Sequence, residues 1–416
     1  MSRITLASLM SIFFLTCSIR SQEIQSQVSY SGDEYDFSFI DKYVKDKRIV
    51  AIGESTHGIG DFYYLKSKLV SHLYNDLGFE ILAMEGGFGD LNLAWANIDQ
   101  FSALELRNNT VFGNFHCTEI EPLFNLLKES SKSEVPLIYT GFDCQISSSY
   151  FQNHLDSILQ LGDKRLVENL KEGFESYYKI YPSVFEEDST NFITHRNKFL
   201  SAIESVKDFV TANQHLIQSV YKYSDNQMKI INRSLAMLSR SMDIEYSSRF
   251  NEENIFRGIV LRDELMFENL MWIIQELYPN KKVVIWGHNA HIQKGKLANS
   301  NIKWMGQLLK EEFKDQYYAL GLFAYQGNVY QQWTKETIPF ERSDSTSIEY
   351  ILNSQGKSMF TFQNLNDQKF SPNTAWMFKE VSALEIENGG NVSFVPVERF
   401  DGVLGLYEVD IPTFGN

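Results

Sequence analysis

Four short apolar runs punctuate the chain, and each ends in polar or titratable residues. Arg48–Gly53 (RIVAIG) gives way to Glu54-Ser55-Thr56-His57, and Glu80–Met84 (EILAM) gives way to Glu85-Gly86-Gly87. Pro136–Gly141 (PLIYTG) leads into Phe142-Asp143, and Lys281–Gly287 (KKVVIWG) leads into His288-Asn289-Ala290-His291. Continuous apolar runs of this length suit strands buried on both faces of a parallel sheet. Between them the period lengthens to that of a helix. Over 61–77, residues Phe62, Leu65, Leu69, Leu73 and Leu77 form one stripe, with Gly78 placed as a C-cap. Residues 119–130 read as another helix. Strand alternating with helix predicts right-handed crossovers. The expected fold is therefore α/β, with a mostly parallel central sheet flanked by helices.

Residues 147–279 depart from that alternation. Segments 151–182, 191–221, 225–248 and 255–278 all carry helical periodicity, with breaks at Pro182 and around Asp188-Ser189-Thr190. This stretch is expected to be a helical insertion forming one side of the active-site cleft. It separates a first α/β part, 22–146, from a second, 280–416. In the second part, 303–314 reads as a helix and Tyr317–Tyr325 as a strand. Gly327-Asn328 is a turn signal toward a partner strand, and 393–397 and 403–409 suit edge strands.

Composition narrows the function. A chain of 416 residues that is 43% hydrophobic, with 31 Phe, 21 Tyr and 8 Pro, can bury a substantial core. Its formal net charge of -15 and lack of a dense basic block argue against nucleic-acid binding, which needs a cationic footprint. The first residues suit export rather than folding. Arg3 precedes an apolar stretch over 5–19, too short to span a bilayer comfortably, and a polar run follows. A signal peptide over 1–21, cleaved after Ser21, implies a periplasmic or extracellular protein. Lipidation of Cys17 is a poorer fit, because Thr16 precedes it. No later segment is long and apolar enough to cross a membrane. Cys117 and Cys144 can pair in an oxidising compartment, but two buried thiols suit the sequence better than a disulfide framework.

In an open parallel sheet, ligands bind beyond the carboxyl ends of the strands. Those ends carry Glu54 and His57, then Glu85, Asp143, and finally His288 and His291. Three of the 8 histidines thus follow apolar runs, and His72, His116, His154, His195 and His215 do not. Such a cluster suits water activation. An imidazole takes the proton, a carboxylate orients it, and a second histidine or a cation stabilises the oxyanion. Glu54, Thr56 and Asp143 also suit helix caps. Two histidines at i, i+3 with carboxylates can hold zinc or iron, although there is no HExxH motif. A serine nucleophile fits less well, because no GxSxG elbow occurs.

These blocks resemble the erythromycin esterase family. The likeness runs through Gly53-Glu54-Ser55-Thr56-His57-Gly58 with Phe62-Tyr63-Tyr64-Leu65-Lys66, Gly78-Phe79 leading to Glu85, and Gly141-Phe142-Asp143. It continues through Arg262-Asp263 with Met266 and Asn269, then Trp286-Gly287-His288-Asn289-Ala290-His291, and Gly321. The resemblance implies an esterase that opens macrolide lactones without a metal or other cofactor, by water activated at His57. It implies that Glu54 and Glu85 orient the base or the water. His288 and His291 would assist the oxyanion or leaving group, and Lys66, Asp143 and Asn289 would contribute to substrate binding. The partner implied is a small-molecule ester or lactone. One position departs: the family's first helix usually carries Arg where this chain has Lys66, which keeps the charge but loses the bidentate fork. A metal-dependent hydrolase using the same residues, and a non-enzymatic protein binding a tetrapyrrole or other small molecule, are the competing readings.

Overall fold

The computed structural model describes residues 26–28, 35–162, 164–180, 189–250, 257–295, 303–353, 360–385 and 390–415. The expected signal segment, 1–21, lies outside the described residues. Along the chain the strands are β1 (Ser26–Val28), β2 (Ile49–Ile52), β3 (Ile81–Gly87), β4 (Ile138–Asp143), β5 (Val283–Trp286) and β6 (Tyr317–Gln331). They continue with β7 (Glu336–Glu341), β8 (Phe360–Asn364), β9 (Val381–Glu385), β10 (Gly390–Phe394) and β11 (Gly402–Val409). The main sheet has the order β1-β8-β11-β6-β2-β5-β3-β4, with β7 paired to β6, while β9 and β10 form a separate hairpin. From β11 through β6, β2, β5 and β3 to β4, every pairing is parallel. β1, β7 and β8 add antiparallel pairings. The fold is α/β with a mostly parallel central sheet, as the alternation of runs predicts.

Both faces of this sheet are covered, which is why its strands read as unbroken apolar runs. Val50, Ile52, Leu82 and Met84 pack with Phe62, Leu65, Leu69 and Leu73 of the helix Gly60–Leu77. The alternate residues Ile49, Ala51, Ile81 and Ala83 pack on the other face with Met266, Leu270 and Ile273. Gly78 ends the helix Gly60–Leu77 in the left-handed region at φ 68°, the C-cap its sequence predicts. Cys117 and Cys144 are buried free thiols.

Between β4 and β5 the described residues are almost wholly helical: Tyr150–Leu159, Lys164–Ile180, Ser189–Ala212, Gln214–Tyr221, Asp225–Phe250 and Arg257–Trp272. Their own apolar cluster includes Phe174, Phe199, Ile203 and Leu235.

Several local expectations need correction. Residues 403–409 do not form an edge: β11 lies between β8 and β6, with partners on both sides. Its late position in sequence hides a central position in space. The Gly327-Asn328 turn does not form either. β6 runs on to Gln331, and the hairpin turns only beyond it. Gly327 instead sits in the strand at φ 137°, where a Cβ would meet the Val409 carbonyl oxygen at 1.8 Å. The 191–221 pattern is split at Asn213, and the 151–182 pattern breaks after Leu159.

Candidate active site

The strand order brings the titratable strand ends together. β2, β5, β3 and β4 are consecutive neighbours, so the residues at their carboxyl ends line one edge. Glu54 and His57 follow β2, and His288 and His291 follow β5. Glu85 and Asp143 lie within β3 and β4 themselves. The pairing of β3 with β4 shifts between Met84 and Gly87. Such a bulge breaks the alternation of faces and re-aims the side chain there, which is Glu85.

At the end of β2 a buried chain of polar contacts leads toward solvent. The Lys66 ammonium is wholly buried and donates to Glu54 Oε2 at 2.6 Å. Glu54 Oε1 lies 2.6 Å from His57 Nδ1, and the His57 side chain is 31% exposed. Lys66 Nζ also donates to the Gly287 carbonyl at 3.2 Å and lies 4.3 Å from the centre of the Trp286 ring. Burial alone would raise the Glu54 pKa, but Lys66 and His57 outweigh it and hold the carboxyl below its ordinary value. An ionised Glu54 accepts from His57 Nδ1–H, which leaves Nε2 as the basic nitrogen.

The loop carrying His57 is tightly fixed. Gly58 takes φ 79°, and a Cβ there would meet the Tyr330 carbonyl oxygen at 1.9 Å. Its N–H donates to the Tyr63 hydroxyl at 2.7 Å. Asn289 spans the loop and its neighbour: its N–H donates to the Glu54 carbonyl at 2.9 Å, and its side-chain amide donates to the Leu322 carbonyl at 3.0 Å. A Cβ on Gly53 would lie 1.9 Å from Asn289 Oδ1, so only glycine admits that side chain.

His288 caps the short helix Asn289–Ile292, with Nδ1 accepting from the Ala290 N–H at 3.1 Å. The proton of a neutral His288 ring is therefore on Nε2. Its ring centre is 5.3 Å from that of His57, in an edge-to-face arrangement. Glu85 Oε2 accepts from the His288 backbone N–H at 2.8 Å, which ties β3 to the β5 loop.

A second group of charges is built around Arg262. It donates to Asp143 Oδ2 at 2.6 Å and Oδ1 at 3.2 Å, and to Glu85 Oε1 at 2.9 Å. Beside it, His291 Nδ1 lies 3.0 Å from Asp263 Oδ2, and His291 Nε2 lies 3.5 Å from Glu85 Oε1. Burial pulls the His291 pKa down, but Asp263 and Glu85 outweigh it and raise the value overall. Burial would likewise raise Glu85, yet His291 and Arg262 hold it well below the usual carboxylate range.

The structure thus gathers Glu54, His57, Glu85, His288 and His291 at one edge. Lys66, Asp143 and Asn289 sit behind them: they are 0%, 0% and 1% exposed, with their polar atoms turned to protein partners. Arg262 and Asp263 are site residues that strand-end reasoning does not select. They lie on the helix Arg257–Trp272, not on a strand end. The signal that points to them is an adjacent Arg-Asp pair on a buried helix face, next to Met266 and Asn269.

Asp263→Asn provides a check on this geometry. A raised His291 pKa adds stability that is complete below its unfolded value and fades as pH rises through the folded value. The substitution is expected to lower the pH at which His291 titrates, followed by NMR of its imidazole, and to weaken that pH dependence. An unmoved titration would show that Asp263 does not hold the charge.

Known proteins resemble this chain in sequence and in fold. The erythromycin esterase family model matches residues 74–409, a span that includes Glu85, Asp143, Arg262, His288 and His291. A Bacillus subtilis (strain 168) protein named as a hydrolase, YbfO, is 27% identical over 399 residues, covering 90% of this chain and 86% of its own. Erythromycin esterase type II of Escherichia coli is 25% identical over 325 residues, covering 75% and 77%. In fold, the chain is similar to a succinoglycan biosynthesis protein, with a TM-score of 0.68 and 18% identity over 94% of this chain and 97% of that one. It is also similar to a mutant of the erythromycin esterase EreC in its open conformation, with a TM-score of 0.60 and 16% identity over 92% and 96%. A family match over most of its length, with relatives named as hydrolases, places the chain in the erythromycin esterase family of hydrolases.

Proposed function

We propose that this protein is an exported, metal-independent carboxylic-ester hydrolase that attacks a lactone or related ester with water activated by His57. The observation that carries the reading is the buried Lys66–Glu54–His57 chain, which ends in a partly exposed imidazole whose Nε2 is the basic nitrogen. His57 Nε2 takes a proton from water as the oxygen attacks the ester carbonyl. The oxyanion is met by His288 Nε2–H and by the Arg262 cation. The acyl–oxygen bond then breaks, and the proton held on His57 passes to the departing alkoxide, with His291, whose protonated form Asp263 and Glu85 favour, completing the charged edge. Lys66, Asp143 and Asn289 hold these groups in place rather than touch the substrate.

A metal fits the donor set poorly. Both oxygens of Glu54 are engaged by Lys66 and His57. Those of Glu85 are engaged by Arg262 and the His288 N–H. Two fixed cations stand where a third would have to bind. Among the described residues, no group of His, Cys, Asp and Glu has the arrangement of a metal site. Export rests on the signal-like segment 1–21 alone.

The test is a mass-spectrometric screen of the purified protein against macrolides, other lactones and simple esters, before and after chelator treatment. The expected result is a product heavier by one water, formed at the same rate in metal-stripped protein. No hydrolysis of any ester would overturn the reading, and loss of activity on chelation would overturn metal independence.

A further inference from the structure

β6 pairs with β2 only through Leu320 and then continues to Gln331, past the sheet edge where the active site lies. Its upper part forms a hairpin with β7. This hairpin is fastened to the catalytic loop: the Tyr330 N–H donates to the Gly58 carbonyl at 2.9 Å, one residue from His57. The packing there is close enough that Gly58 has no room for a Cβ. Further along, the Gln332 side chain approaches Gly113, where an added Cβ would be 3.3 Å from its Nε2. Gly113 begins the short turn Gly113–Phe115. The Phe115 ring stands edge-on to His57, 6.1 Å between centres. The hairpin therefore contacts the His57 loop and the Phe115 turn, two segments that border the imidazole.

Trp333 sits in the turn of this hairpin with 86% of its surface exposed, the highest value among the exposed large hydrophobic side chains described. It is three residues from Tyr330, which even a fully extended chain would place no more than about 10 Å away. In the same hairpin, Tyr330 packs against Phe414, which is itself 37% exposed, with ring centres 4.9 Å apart. A scattered exposed leucine is unremarkable, but an indole held in water on a hairpin that touches the His57 loop is costly unless something covers it.

We propose that Trp333 is a substrate-contact residue, whose indole holds the apolar flank of a bulky ester or lactone while the ester group reaches His57. The inference rests on the hydrolase reading above and names the part of the site that selects large substrates. A hairpin is suited to this task. Its stem is fixed through Tyr330 and Gly58, so the backbone that carries the indole is already ordered before binding.

Two measurements test it with erythromycin as the bulky probe and p-nitrophenyl acetate as the small one. In the first, erythromycin is titrated calorimetrically into His57→Asn protein and into His57→Asn/Trp333→Ala protein. Affinity is expected to fall roughly tenfold on loss of the indole, the scale of an aromatic contact residue, and to be largely restored by Trp333→Phe. In the second, the ratio of kcat/KM for erythromycin to kcat/KM for p-nitrophenyl acetate falls by a similar factor in Trp333→Ala, through KM rather than kcat. Equal affinity with and without the indole, no erythromycin binding at all, or an unmoved ratio would each overturn the inference. Binding that depends on Trp333 in a protein that hydrolyses neither ester would sink the hydrolase reading and leave the contact standing.

Discussion

His57→Asn is expected to lower kcat for ester hydrolysis by about 10^4-fold while leaving the thermal midpoint within a few degrees of the parent protein. The two halves of this expectation have separate causes. The imidazole sits on the ionised Glu54 and reaches a partly open surface, so its removal takes away the proton acceptor. Its side chain is 31% exposed, so truncation opens no cavity. Asparagine retains a donor for Glu54 and so spares that buried carboxylate, but its amide nitrogen cannot take a proton from water. Glu54→Gln is expected to give a loss of the same order by a different route, because a neutral amide no longer stabilises the imidazolium or enforces its tautomer. Comparing kcat with circular dichroism and thermal melts of the same samples checks both halves. Turnover within tenfold of the parent protein in His57→Asn would remove His57 as the base.

The contrast between His57 and its supports explains how much of this site the sequence makes legible. The strand ends are readable because sheet burial on two faces leaves unbroken apolar runs, and the first polar residue after each run marks the edge. Glu54, His57, His288 and His291 emerge from that rule directly. Glu85 and Asp143 emerge as well, although each is the last part of a strand rather than the first residue after it. What the rule cannot give is lateral order. β5 lies between β2 and β3 in space but follows both by some two hundred residues, and only that order puts the His288 N–H on Glu85. Arg262 and Asp263 escape for a similar reason. Arg262 meets Asp143 across 119 positions, and its helix stripe looks like any other half-buried helix until its partners are known. The C-terminal strands are illegible for a third reason: alternation reports burial, not neighbours, so a strand between two others reads like an edge.

Lys66→Met is expected to cost about 3–5 kcal/mol of stability and to suppress activity further than the loss of a substrate contact would. Lys66 is wholly enclosed, so its side chain meets Glu54, Gly287 and Trp286 rather than solvent. Removing the ammonium leaves Glu54 buried beside one histidine, and the desolvation that now opposes its charge goes largely unanswered. The pH dependence carries the sign. In the parent protein the Glu54 pKa is depressed, so the pair contributes stability above the ordinary carboxylate range that is lost as pH falls through the folded value. In Lys66→Met the folded value rises, and stability is instead lost as pH climbs from the unfolded pKa through the raised one. Denaturant unfolding at pH 5 and pH 8 reads the difference directly: the variant's deficit grows toward the alkaline side. Lys66→Arg separates charge from shape. Arginine keeps the cation and can fork onto Glu54, but its broader head must displace the Trp286 ring over which the ammonium now sits. It is expected to recover the pH profile more fully than the stability. A Lys66→Met protein as stable as the parent, with a raised KM and unchanged kcat, would return Lys66 to the role of a substrate contact. It would also detach the Glu54–His57 pair from the cation that we place behind it.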